Sequence, residues 1–168
     1  MSYLDFAPFT PNDPTCSRSA LASEAAFAMT LWGEARGESL QAKSVVASVI
    51  LNRASKPSWM DGMLPLSTPL KDRVKAVCLQ PKQFSCWNPS DPNSPKLWKP
   101  LDHDKLVVWQ ECVLIAAASL DGLFRNQVMG ADHYHSFPAD EKGHWPKWAD
   151  DKKLVTRIGK FFLYDLEP

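Results

Sequence analysis

Apolar residues recur at helical spacing over most of the chain. The clearest segment starts after Ser39, which suits a helix N-cap, and ends before Pro57. Its apolar positions follow the i, i+3, i+4, i+7, i+8 pattern of one buried helix face. They are Ala42, Val45, Val46, Val49 and Ile50. Weaker forms of the pattern predict further helices over residues 23–37, over 104–120 and from residue 68 onward.

Other stretches lack a helical stripe. Residues 79–103 contain five prolines, and an irregular segment of this length inside a compact domain is normally functional or disordered. Its aromatic residues Phe84, Trp87 and Trp98 favour the functional interpretation. The aromatic-rich residues 156–164 predict a strand, whereas residues 1–22 predict an irregular lead-in. The predicted fold class is therefore mainly α with a small β element, as one domain over residues 23–168.

The main hydrophobic core is predicted between two of the helices, those over residues 39–54 and 104–120. The predicted core residues are Val45, Val46, Val49 and Ile50 from the first helix and Val108, Cys112 and Ile115 from the second. At 168 residues the chain is long enough to bury a core without disulfides.

The composition of the chain argues against several classes of function. The 19 basic residues balance the 19 acidic ones, which argues against nucleic-acid binding and against stable attachment to a lipid surface. No stretch approaches the roughly 20 apolar residues of a membrane helix. Residues 1–9 have neither a basic start nor an apolar run, so no signal peptide is predicted and synthesis in the cytoplasm is expected. Seven tryptophans suggest a cleft that stacks on a flat ligand.

The cysteines predict neither a redox site nor a metal site. Cys16, Cys78, Cys86 and Cys112 form no C-x-x-C pair and no zinc-finger spacing. We expect all four to stay reduced in the cytoplasm and none to be catalytic. No cofactor and no metal are predicted.

The sharpest local feature is residues 31–38, where one helix ends and the next begins: Glu34 and Arg36 lie between two glycines, and a second acid, Glu38, follows them. Desolvation of Glu34 beside Trp32 would favour its protonated form, the state that a general acid needs for cleaving a glycosidic bond. The alternative is a solvated helix end, in which Glu38 simply favours the next helix N-terminus.

Four motifs follow one another along the chain. The first is Trp-Gly-Glu-Ala-Arg-Gly-Glu over residues 32–38, continued by residues 45–53. The others are Gln-Phe-Ser-Cys-Trp over residues 83–87, Ala-Asp-His-Tyr-His over 131–135 and Ile-Gly-Lys-Phe-Phe over 158–162. In this order they resemble the motifs of the SleB/CwlJ cell wall hydrolases, a family that includes spore cortex-lytic enzymes and some phage endolysins. The resemblance spans roughly residues 24–164.

This resemblance implies a fold of the lysozyme or lytic-transglycosylase type with Glu34 as its single catalytic glutamate. The implied substrate is peptidoglycan, cleaved at the β-1,4 bond between N-acetylmuramic acid (MurNAc) and N-acetylglucosamine (GlcNAc). A lytic transglycosylase can work with one carboxylate that serves as acid and then as base. Muramidase-type hydrolysis with a second carboxylate, Asp132 or Glu38, is the alternative.

Further residues of the motifs are predicted to bind substrate. Gln83, Phe84, Ser85 and Trp87 offer stacking faces and short polar groups that suit a pyranose, although the two aromatics can equally anchor a loop. Tyr134 is predicted to bond the N-acetyl group or the catalytic carboxylate. Asp132 is predicted to contact substrate or to brace its loop.

The sequence departs from the family where His133 and His135 replace more usual aromatics, and in its lack of an export signal and of a wall-binding module. The second departure predicts a monomeric phage endolysin, made in the host cytoplasm and released to the wall in the periplasm by a holin.

Two rival functions are weighed against this one. A zinc amidase or peptidase would draw ligands from His133, His135 and His144, although the sequence has no His-Glu-x-x-His motif. A non-catalytic wall-binding module would use the tryptophans as sugar platforms, but such modules are commonly repetitive and rich in strands.

Overall fold

The computed structural model describes residues 17–124, 127–138 and 142–167. Its α-helices are α1 (Ser23–Ala35), α2 (Leu40–Ser55), α3 (Pro57–Met60), α4 (Leu70–Leu79) and α5 (Leu106–Leu120). Its strands are β1 (His133–His135), β2 (Leu154–Ile158) and β3 (Phe161–Tyr164). Short 3₁₀ helices lie at Arg18–Ala20, Ser85–Trp87, Pro95–Trp98, Pro100–Asp102, Lys142–His144 and Asp151–Lys153. The predicted fold class, mainly helical with a small sheet, is confirmed.

Helix α2 forms the centre of the helical layer because almost every residue from Ala42 to Ala54 is buried. Ser39 caps it as predicted, since its hydroxyl accepts a hydrogen bond from the Ala42 amide at 3.2 Å. Helices α1, α4 and α5 surround it. Buried Lys43 of α2 pairs with Glu111 of α5 at 2.5 Å, which compensates the charge of Lys43 between these two helices.

The predicted core is present with one exception. The α2 residues Val45, Val46, Val49 and Ile50 and the α5 residues Cys112 and Ile115 are all buried. Val108 is only partly buried and packs against the edge of the core. The predicted lead-in lies largely outside the described residues, which begin at residue 17 with one turn of 3₁₀ helix.

The segment over residues 79–103 has no long helix or strand, as predicted, but it is anchored by buried side chains. Phe84, Cys86, Trp87 and Leu97 are each at most 3% exposed. The Trp87 indole donates a hydrogen bond to the Thr30 hydroxyl at 2.9 Å, which ties the segment to α1. These contacts fix the Gln83–Trp87 motif beside the end of α1.

The sheet is antiparallel with the strand order β1-β3-β2. The strand predicted over residues 156–164 is in fact a hairpin, because Gly159 adopts φ +57° and reverses the chain between β2 and β3. Strand β1 pairs with β3 in the register His133 with Tyr164 and Tyr134 with Leu163. Alternation along β1 therefore places Tyr134 on one face of the sheet and both histidines on the other.

None of the helices within the described ranges is both long and apolar enough to cross a membrane.

Candidate active site

Glu34 occupies the last turn of α1, two residues beyond the fully buried Trp32. The Tyr134 hydroxyl donates a hydrogen bond to Glu34 Oε2 at 3.0 Å, so the first and third sequence motifs meet at this carboxyl group. Glu34 Oε1 is buried and has no nitrogen or oxygen partner among the described residues. Tyr134 thus holds one oxygen of the carboxyl group in place.

Burial and the charge of Glu34 raise the pKa of Tyr134 well above its usual range, although Arg53 opposes this in part. The phenol therefore keeps its proton and acts only as a donor toward Glu34. The sequence prediction that Tyr134 bonds the carboxylate agrees with this geometry.

The second motif packs directly against Gly33, the residue before this glutamate. A Cβ built on Gly33 would lie 2.6 Å from Cys86 Cβ and 2.7 Å from Cys86 Sγ, so only glycine allows this approach. Burial raises the pKa of the Cys86 thiol, and the charge of Glu34 and a hydrogen bond to it raise that pKa further. The thiol stays protonated and cannot serve as a nucleophile.

A cleft of about 540 Å³ opens beside Glu34. Five predicted site residues line it, namely Glu34, Gln83, Phe84, Ser85 and Tyr134. Its other lining residues are Arg53, Trp59, Lys82, His133, His135, Ser136, Phe137, Pro146 and Trp148. An aromatic-lined cleft with a few convergent polar groups is the usual form of a site for a sugar or another small ligand.

The prediction that Trp87 stacks on substrate disagrees with the structure. Its side chain is 3% exposed and does not line the cleft. Its indole N–H is used by Thr30, so Trp87 anchors the loop that carries Gln83 and Ser85.

Asp132 is also not available to substrate, because its side chain is fully buried. Its carboxylate accepts hydrogen bonds from His133 Nδ1 (2.8 Å), Lys56 Nζ (2.9 Å) and the amides of Leu166 (3.1 Å) and Glu167 (3.0 Å). Burial by itself would raise the pKa of Asp132, but these hydrogen bonds outweigh it and hold the pKa far below its usual range. Asp132 is therefore a buried anchor, which corrects both its predicted substrate contact and its role as a second catalytic acid.

Glu38 is placed away from the cleft as well. Its carboxylate pairs with Lys160 at 2.7 Å, whereas the nearby Arg36 bonds Asn93 at 2.8 Å and Asp104 at 3.4 Å. Among the cleft-lining residues that the structure describes, Glu34 is the only carboxylate.

Arg53, the last residue in the continuation of the first motif, was not predicted as a site residue. It is 4% exposed, donates from Nε to the Asp132 carbonyl at 2.6 Å and lines the cleft. Its Nη1 is buried without a hydrogen-bond partner in the described part of the chain. The signal was present, since Arg53 follows Val49 by four residues and Ile50 by three and so lies on the predicted buried face.

Trp59 was also missed. It belongs to the short helix α3, which starts with a proline in its first turn and has too few residues for a periodic pattern. The Arg53 guanidinium lies 4.5 Å from its ring centroid. No pattern in the sequence distinguishes this tryptophan from the others, so only its position in the fold brings it to the cleft.

No group of three or more His, Cys, Asp or Glu side chains in residues 17–124, 127–138 and 142–167 is arranged to hold a metal ion. His133 bonds Asp132, and His135 Nε2 lies 3.1 Å from the Tyr164 hydroxyl.

Comparison with known proteins agrees with the motifs. The family model described as cell wall hydrolase matches residues 37–164 and therefore begins three residues after Glu34. No curated protein and no solved structure matches the chain. Because the match covers well over half of the 168 residues, the chain belongs to the cell wall hydrolase family of the SleB/CwlJ type and is an enzyme that acts on peptidoglycan.

Proposed function

We propose that the protein is a lytic transglycosylase that cleaves the MurNAc–GlcNAc β-1,4 bond with Glu34 as its single general acid and base. The observation that carries this proposal is the absence of a second carboxylate among the described residues of the cleft. Hydrolytic glycosidases normally use two carboxylates, about 5–5.5 Å apart for retention and about 6.5–9.5 Å apart for inversion. Glu38 and Asp132, the two candidates, are engaged elsewhere.

In the proposed reaction protonated Glu34 donates its proton to the bridging oxygen. The bond between MurNAc C1 and that oxygen breaks, and its electron pair stays with the GlcNAc hydroxyl group that leaves. The C6 hydroxyl of the same MurNAc attacks C1 and returns its proton to the Glu34 carboxylate. A 1,6-anhydro ring forms, no water is consumed, and Glu34 is again ready to act as an acid.

The surroundings of Glu34 support this role. Tyr134 holds Oε2, so the carboxyl group of Glu34 keeps one orientation beside the cleft that it lines. Orientation of this kind supplies much of the rate enhancement when one group must act twice on the same bond.

The test is a product analysis of purified peptidoglycan with the unsubstituted protein, Glu34→Gln and the matched control Glu38→Gln. Products ending in 1,6-anhydro-MurNAc, about 18 Da lighter than reducing ends because no water is added, support transglycosylation. Reducing MurNAc ends would show muramidase-type hydrolysis instead.

General acid catalysis contributes about 10²–10⁴-fold, so Glu34→Gln should reduce lysis by at least this factor with little change in thermal stability. Glu38→Gln should keep most of the activity because Glu38 pairs on the surface with Lys160. An active Glu34→Gln protein would refute the single-glutamate mechanism, and a dead Glu38→Gln protein with active Glu34→Gln would show that the wrong acid was chosen. Retained wall binding without lysis in Glu34→Gln separates a catalyst from a binding module.

The endolysin role predicted from the sequence stays a prediction. We propose to test it by cytoplasmic expression with and without a holin. Lysis only when the holin is present would support the role, whereas lysis without a holin would contradict a requirement for holin-type release.

A further inference from the structure

One wall of the cleft is a continuous stack formed by Phe84, Arg53, Trp59, His133 and Trp148. The Arg53 guanidinium carbon lies 5.3 Å from the Phe84 ring centroid and 4.5 Å from that of Trp59. The His133 ring follows, with centroids 5.3 Å from Trp59 and 5.0 Å from Trp148. We call these five residues the aromatic wall, and all of them line the same cleft as Glu34.

Asp132 accepts hydrogen bonds from three neighbouring residues of the aromatic wall. Its backbone carbonyl accepts from Arg53 Nε (2.6 Å), its Oδ2 from Trp59 Nε1 (3.4 Å) and its Oδ1 from His133 Nδ1 (2.8 Å). A carboxylate with a strongly lowered pKa can only accept hydrogen bonds. When the His133 ring carries a single hydrogen, that hydrogen therefore lies on Nδ1, and Nε2 is the acceptor nitrogen of the ring.

The packing around His133 determines which part of the ring a ligand can reach. Trp59 and Trp148 cover the ring from two sides, and Nδ1 faces the buried Asp132. About 20% of the His133 side chain is nevertheless exposed. The ring also lines the cleft, and Nε2 lies at the end of the ring away from the backbone, whereas Nδ1 faces Asp132.

An acceptor at this place complements the rest of the cleft. The side chains of Arg53 and Lys82, which line the cleft, carry hydrogen-bond donors. An N-acetylated sugar presents donors of its own, one amide N–H and several hydroxyl groups, and these need acceptors. Glu34 is committed to the bond that breaks, so a separate acceptor is required to orient the sugar.

We propose that His133 is a substrate-binding residue whose Nε2 accepts a hydrogen bond from an N–H or O–H group of an N-acetylated sugar in the cleft. Asp132 is then the positioning residue that fixes the tautomer and the ring orientation. This inference rests on the proposed function, since it takes a glycan as the occupant of the cleft.

Two substitutions separate the two nitrogens of the ring. His133→Asn places an amide N–H near the former Nδ1, so it keeps the bond to Asp132 but has no acceptor at Nε2. His133→Gln extends its amide toward the former Nε2 position and gives up the bond to Asp132. The experiment measures binding to uncrosslinked glycan strands of alternating GlcNAc and MurNAc, with Glu34→Gln as the common background so that the strands stay intact.

We expect His133→Asn to weaken binding about threefold to tenfold, as for loss of one net hydrogen bond, with an unchanged thermal midpoint. We expect His133→Gln to bind more tightly than His133→Asn. Equal affinity of His133→Asn and its background, or weaker binding by His133→Gln than by His133→Asn, would overturn the proposal.

A second measurement needs no substitution of His133. In the ¹⁵N-labelled Glu34→Gln protein, Nε2 of His133 should show the shift of an unprotonated nitrogen and should move when the strands are added. A protonated Nε2, or no movement on binding, would overturn the inference. If the proposed function is wrong, a different result is expected: the Glu34→Gln protein would still lyse peptidoglycan, whatever the His133 variants bind.

Discussion

Replacing Gly33 by alanine tests how tightly the second motif is packed beside Glu34. The added Cβ would lie 2.6 Å from Cys86 Cβ, 2.7 Å from Cys86 Sγ and 3.0 Å from Leu97 Cδ2. Cys86 Cβ moves only with its backbone, and Cys86 and Leu97 are both at most 1% exposed. The contact therefore cannot be relieved by rotating a flexible side chain.

Overpacking of this kind costs about 1–3 kcal/mol, and the rigid neighbour places Gly33→Ala near the upper end of that range. Alanine regains about 1 kcal/mol within a helix, so the net loss of stability should be about 2 kcal/mol. For a chain of this length such a loss lowers the thermal midpoint by about 4–8 °C. Activity should fall as well, because Glu34 is the next residue and small misplacements of a catalytic group are costly.

Thermal unfolding and clearing of a peptidoglycan suspension measure the two effects. Gly37→Ala is the matched control, since a Cβ there meets nothing within 4 Å and should stabilise the protein by about 0.4–1 kcal/mol. Adding Cys86→Gly to Gly33→Ala removes both of the closest atoms. The double variant should therefore be more stable, by about 0.5–3 kcal/mol, than the sum of the two single effects predicts. A Gly33→Ala protein as stable and active as the unsubstituted protein would refute the packing argument.

Further predictions concern single side chains around the site. Tyr134→Phe should lower the rate of lysis about tenfold to a hundredfold, because it removes the hydrogen bond to Glu34 Oε2, and an unchanged rate would contradict that role. Cys86→Ser should retain lytic activity, since burial keeps the thiol protonated; a folded but inactive protein would show that the thiol is required. The pKa of Asp132 is lower in the folded chain than its ordinary value of 3.8. Its stabilisation is therefore present above about pH 4 and lost as the pH falls toward the folded value. Thermal unfolding is measured from pH 7 to pH 2. The thermal midpoint of Asp132→Asn should be lower at pH 7 than that of the unsubstituted protein and should change less with pH below about pH 4; the same change of midpoint with pH in both proteins would contradict this.

The periodic pattern of the sequence determined the helical part of the fold. Helix α2 needed only its apolar stripe and the Ser39 cap, because both signals lie within a few turns of one another. The first motif placed Glu34 at a helix end for the same local reason. The residues next to Glu34 in the sequence also suggested its role as a general acid.

Tertiary structure alone decided which residues of the later motifs face the cleft. Trp87 and Asp132 are buried and Arg53 and Trp59 line the cleft, although nothing in their local sequence separates a buried anchor from a ligand contact. The physical reason is that the residues that bury a side chain, or form hydrogen bonds with it, belong to segments distant in the sequence. Asp132 is bonded by residues 73 to 79 positions earlier, and its environment exists only once α2, α3 and β1 have packed together.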